Sequence, residues 1–173
     1  MNKYLIIFFV VALLIRLFSL KISILNEKNL KQLGATEHGK FNSILIAVLH
    51  TLFYISCFVE GILTKSQISE TTGISLIVYV FAIFSLFYVV HSLGPLWTVK
   101  LIIAPDHKLV ENFIFKTFRH PNYFFNIIPE LISFAVIFSA FNTLKFLFPI
   151  YLIVLFIRIF QEENIMRETF SDY

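Results

Sequence analysis

Cysteine is nearly missing from this 173-residue chain, where Cys57 stands alone. One thiol can build neither an intramolecular disulfide framework nor a cysteine-based zinc site, and no metal is expected. Glycine and proline number five each, and no internal repeat, low-complexity tract or flexible linker divides the chain. Charge is sparse as well. The formal net charge is +3, and the basic residues fall in short groups between apolar runs, which argues against a nucleic-acid partner.

Apolar side chains fill the space instead. Of the residues, 58% are hydrophobic, 22 of them Phe, and the mean hydropathy is +0.82, against roughly 45–50% apolar usage in a soluble domain. This is the composition of a membrane protein. Crossing a hydrocarbon core of about 30 Å takes roughly 20 helical residues, and suitable runs lie near residues 4–20, 43–63, 73–93, 122–140 and 144–161. Lys3 before the first run imitates a signal peptide, but no small-residue cleavage site follows and Arg16 interrupts the run, so it is expected to remain as a helix. Only Ala140 to Leu144 separates the last two runs, which requires an antiparallel helical hairpin. The expected fold is an all-α polytopic membrane bundle of about five spans. It forms one domain, residues 1–173, with three N-terminal helices in 1–93 and the remaining motifs in 94–173.

Lys21, Lys28, Lys31 and Lys40 crowd the first connection, and Lys100, Lys108, Lys116 and Arg119 the third region; Lys65 and Lys145 stand alone in the others. The positive-inside rule places the rich connections in the cytoplasm and the N-terminus outside. A bacterial cell membrane is the expected location. The stretch from Gly94 to His120, with Pro95 and Pro105 and mixed charge, is expected to be irregular.

Three groups of ionisable residues border the apolar runs on the cytoplasmic side. In Arg119-His120-Pro121, proline disfavours helical geometry at His120 and suits a first helical position, so a helix should begin near Pro121 with its free amides at the rim. The alternative is an Arg and a His snorkelling at the interface. His107 follows Pro105-Asp106 and precedes Leu109-Val110; such a strip could pack on and hydrogen-bond an adenine, or simply be a membrane-proximal loop. Arg158 and Glu162 share a helix face. They form either an exposed ion pair of small worth or, beside lipid, the wall of a polar cavity.

In this order, His107, Leu109 and Val110, then Arg119-His120-Pro121 and Tyr123, a helical hairpin, and Arg158 with Glu162-Glu163 resemble the C-terminal signature of the isoprenylcysteine carboxyl methyltransferase family. The resemblance covers about Trp97 to Tyr173. It implies an integral membrane enzyme that moves a methyl group from S-adenosyl-L-methionine to a lipophilic small-molecule or prenylated acceptor drawn from membrane lipid. It places the cofactor on His107, Lys108, Leu109, Val110, Phe115, His120, Pro121, Asn122, Tyr123 and Glu162. Arg158 is directed to the acceptor, and Arg158 and Glu162 are the expected catalytic pair. Phe113 and Phe115 stand where family members commonly have a glycine and a tyrosine, and Phe125 where a glycine is frequent.

Tyr123, Asn126, Glu130 and Ser133 form one polar stripe on an apolar helix and should face inward. Pro129 can kink that helix beside Glu130. Asn126 and Glu130 are thus candidate acceptor contacts, or an interhelical hydrogen-bond network. His50, Tyr54 and Cys57, and Ser85, Tyr88 and Ser92, are read as packing stripes. For the acceptor oxygen, a prenylated cysteine carboxyl and the acidic hydroxyl of a long-chain alkylpyrone or phenolic lipid both stay open. So does a non-catalytic carrier using Glu130 and Arg158.

Overall fold

A computed structural model describes residues 1–104 and 113–169. Helix α1 (Lys3–Gln32) opens where the Asn2 side chain accepts from the Tyr4 N–H at 3.0 Å, satisfying one of the donors a helix start leaves free. It runs well beyond the expected limit at residue 20. No glycine or proline interrupts the lysine-bearing stretch before Gly34, and Glu27 and Lys31, one turn apart, pair at 2.6 Å, so nothing there breaks the helix.

Helices α2 (Lys40–Leu63) and α3 (Glu70–Leu93) lie close to the expected spans. The segment after α3 is less irregular than expected. A 3-10 turn at Gly94–Leu96 leads to strand β2 (Leu101–Ile103), which pairs antiparallel with β1 (Thr36–His38), Glu37 opposite Ile102. A short helix, α4 (Phe113–Thr117), follows. Three-residue strands offer too little alternation to be seen in sequence.

Pro121 opens the next helix as expected, but Asn122–Ile127 is a π-helical segment before α5 (Ile128–Ile137). The Ile128 N–H bonds to the Tyr123 carbonyl, five residues back. The wide turn delivers the chain to Pro129, which has no N–H to give and whose ring would crowd an ordinary helical turn. The kink expected at this proline is therefore a π turn just before it.

Among the described residues, four helices are long and apolar enough to cross a membrane, and Asn122–Ile137 is a shorter apolar helix. The hairpin turn at 138–140 comes earlier than expected. Glu60 of α2 is the reason: its Oε1 accepts from the Asn142 N–H and its Oε2 from the Thr143 N–H, at 2.9 and 2.8 Å. A carboxylate on these orphan amides starts α6 (Phe141–Thr169) at once.

The N-terminus, the loop after α2 and the hairpin turn share one end of the bundle, since the Asn2 N–H bonds to the Ser66 carbonyl and the Ser66 hydroxyl to the Phe138 carbonyl. The β1–β2 ladder, Pro121 and the C-terminal part of α6 occupy the other. Between them α3 packs on α5 and the π segment, and α2 packs on α6. Phe134 is the hub of an aromatic core, stacked on Tyr54 at 4.0 Å and flanked by Phe8, Tyr79 and Phe138. Gly61 permits the approach of the hairpin turn, because a Cβ there would sit 3.0 Å from the Phe138 ring. Large apolar residues such as Ile77, Phe84 and Phe146 point outward, as a lipid-facing surface requires.

Candidate active site

Tyr123, Arg158, Glu162 and His120 converge where the π segment meets the end of α6. Glu162 is the centre. Its Oε1 accepts from the Tyr123 hydroxyl at 2.5 Å and from Arg158 Nε at 3.2 Å, and its Oε2 faces His120 Nδ1 at 3.3 Å. His120 Nε2 lies 2.9 Å from Glu163, which also takes Arg119 at 3.1 Å and Arg167 at 3.3 Å. With a carboxylate against each ring nitrogen, both nitrogens are best used as donors, which only the protonated imidazole provides. Burial opposes that charge, but Glu162 and Glu163 outweigh it and raise the His120 pKa above the ordinary histidine value.

Arg158 is 2% exposed. Its Nη1 donates to the Ser43 hydroxyl at 2.7 Å and its Nη2 to the Val99 carbonyl at 3.2 Å. Val99 is itself fixed, donating its N–H to the Ser23 hydroxyl of α1 at 2.9 Å. A left-handed Gly39, φ +54°, begins α2 beside them, and a Cβ there would meet the Gln161 carboxamide at 2.6 Å. The N-terminal helices thus hold the guanidinium in place. Ser43 and the Val99 carbonyl carry no signal in the sequence that would have marked them.

An apolar groove of about 440 Å³ is lined by Phe81, Phe84 and Tyr88 of α3, Ile114 of α4, and Pro121 and Phe125. Pro121 borders both the groove and His120. Phe115, expected to stack on the cofactor, packs against the buried group Leu86, Val89 and Trp97. His107, Lys108, Leu109 and Val110 lie outside the described residues.

The polar stripe faces inward as expected, with Tyr123, Asn126, Glu130 and Ser133 all buried. Sequence spacing did not reveal its partner. Arg16 of α1 pairs with both Glu130 oxygens, its Nε donating to Oε1 at 2.6 Å, and Tyr54 of α2 donates to Oε1 as well. Asn126 donates to Asn122 at 3.0 Å. The polar groups expected to meet an acceptor are thus engaged with protein partners. A charge within an apolar run was the available signal for Arg16.

A helix bundle with four spans long and apolar enough to cross a membrane among its described residues, and a carboxylate ringed by cations at one end, defines an integral membrane protein. The chain belongs to the isoprenylcysteine carboxyl methyltransferase (ICMT) family, a family of membrane methyltransferases whose model matches residues 74–168. An uncharacterized protein of Haemophilus influenzae is 44% identical over 162 residues, 94% of each chain. The uncharacterized protein YpbQ of Bacillus subtilis is 30% identical over 145 residues, 83% of this chain and 84% of its own. No solved structure matches.

Proposed function

We propose that this protein is an S-adenosyl-L-methionine-dependent O-methyltransferase of the cell membrane, acting on a lipophilic acceptor, with its charged rim in the cytoplasm. The observation that carries the reading is the Glu162 cluster, whose His120 is followed in the chain by Pro121, a wall of the apolar groove. The donor set suits the cofactor. Its methionine part bears an ammonium and a carboxylate, and the rim offers Glu162, held in place by His120, for the first and the Arg119 guanidinium for the second.

When bound, S-adenosylmethionine supplies an electrophilic methyl group on a sulfonium. The protein's own residues do the positioning. Tyr123 and Arg158 hold the Glu162 carboxylate in one orientation. His120 keeps its proton between Glu162 and Glu163. Arg158, braced by Ser43 and Val99, has further N–H groups to hold an acceptor oxygen as its anion. The buried setting strengthens that hold by excluding water. An oxygen already ionised at neutral pH needs no strong base; it needs alignment at about 3–3.5 Å. The groove would take the acceptor's apolar tail directly from the bilayer.

A carboxylate of the prenylated-cysteine type is the first acceptor we assign, because the planar guanidinium fork of Arg158 matches a carboxylate. The aromatic wall of Phe84, Tyr88 and Phe125 favours a second, the acidic hydroxyl of a flat alkylpyrone or phenolic lipid. Calorimetry of S-adenosylmethionine with the detergent-purified protein tests the reading. Binding that His120→Ala weakens supports it; no binding to the wild-type protein contradicts it. Base-labile label on the product would identify an ester, and base-stable label an ether.

A further inference from the structure

Arg16 sits near the middle of α1, whose face toward lipid includes Leu13, Leu14, Leu17 and Phe18. A charge beside such apolar side chains is costly unless paired, and its partners belong to the matched family region: α1 is outside residues 74–168, whereas Glu130 and Asn126 are within them. Glu130 is fully buried and stands three positions after the last π-helical residue, Ile127. Asn126, 1% exposed, lies inside the π segment and receives Arg16 Nη2 at 3.5 Å. Asn126 in turn donates to Asn122, the first residue of that segment.

We infer that Arg16 is a positioning residue for the rim, acting through Glu130 and Asn126 to hold the π turn Asn122–Ile127 in the register that presents Tyr123 to Glu162. A π turn is a strained insertion that persists where its surroundings enforce it. Pro129 calls for the wide turn, and a bidentate ion pair just past its end and a side-chain chain running up its length hold its register. Tyr54, which donates to Glu130 from α2, secures the same carboxylate from a third helix. An interhelical pair serving only to glue α1 in place would give the same bonds to Glu130 without influence on Tyr123.

The functional consequence rests on the reading of Tyr123 and Glu162 as part of the cofactor site, so two measurements are paired. A fluorinated tyrosine placed at Tyr123 reports its bond to Glu162 by fluorine NMR, whatever the protein's activity. Titration with S-adenosylmethionine reports the site. Arg16→Met combined with Glu130→Gln removes both charges together, a change buried pairs often tolerate, and the glutamine keeps an acceptor for Tyr54. Asn126→Ala leaves the ion pair and cuts its link to the π turn, which decides the matter if the double variant does not fold. The fluorine resonance should shift in both variants, with cofactor affinity reduced about ten-fold. An unchanged resonance and unchanged affinity in a folded variant would overturn the proposal and leave the pair as glue. A shifted resonance in a protein that binds no S-adenosylmethionine, wild type included, would uphold the positioning role and refute the function proposed above.

Discussion

Replacing Glu162 by glutamine removes the negative charge at the centre of the rim and almost no volume. The carboxylate accepts from Tyr123, Arg158 and His120. An amide keeps one acceptor oxygen for these donors and turns an N–H₂ group toward one of the cations. If Glu162 holds the ammonium of the cofactor, one charge-assisted hydrogen bond is lost, roughly 1.5–3 kcal/mol or about ten- to a hundred-fold in affinity. Removing one partner of a buried ion pair costs about 3–5 kcal/mol of stability. The Glu162 side chain is 22% exposed, so water softens the loss to roughly 1–2 kcal/mol. Calorimetry and a thermal melt on the same purified sample separate the two effects. A lowered melting temperature with undiminished affinity for S-adenosylmethionine would show that Glu162 is structural, and the assignment of the cofactor to this cluster would fall.

Arg158→Lys keeps the charge and loses the fork that spans Ser43, Val99 and Glu162; cofactor affinity should stay close to wild type while turnover drops, and equal loss of both would refute the division of roles. The His120 pKa is raised in the fold, so its pairing stabilises fully below the unfolded value of about 6.5 and is lost as pH rises through the higher folded value. Melting temperature should decline across that interval in the wild type, and the decline should vanish in His120→Ala. Gly61→Ala pushes a Cβ against the Phe138 ring and should lower stability by about 1–3 kcal/mol, seen as an earlier melt with no change in cofactor affinity. In a Cys57→Ala background, cysteines at Lys65 and Lys145 should react with an impermeant thiol reagent applied to intact cells and one at Lys28 should not; the reverse pattern would invert the orientation.

Helices α2 and α3 were legible because each is a continuous apolar run of about membrane-spanning length. The extension of α1 was not, since lysines read as a connection also make good exposed helix. The start of the helix at Pro121 followed from proline's fixed geometry, yet the π turn that follows it depends on tertiary partners. Arg16 and Tyr54 approach from helices more than seventy residues away in sequence, and spacing along one helix carries no record of them. Within the site, His120, Tyr123, Arg158 and Glu162 could be grouped by motif order. The braces Ser43, Ser23 and the Val99 carbonyl could not, because hydroxyls and backbone oxygens carry no pattern that distinguishes a support from a bystander.

Transfer of a labelled methyl group from S-adenosylmethionine to a bilayer-extracted lipid by the purified protein tests the central claim most directly. Wild-type protein should place label in the organic-soluble fraction, Glu162→Gln should lower the yield at limiting cofactor, and Arg158→Lys should lower it even at saturating cofactor. Wild-type protein that binds no S-adenosylmethionine and leaves every lipid extract unlabelled would contradict the account.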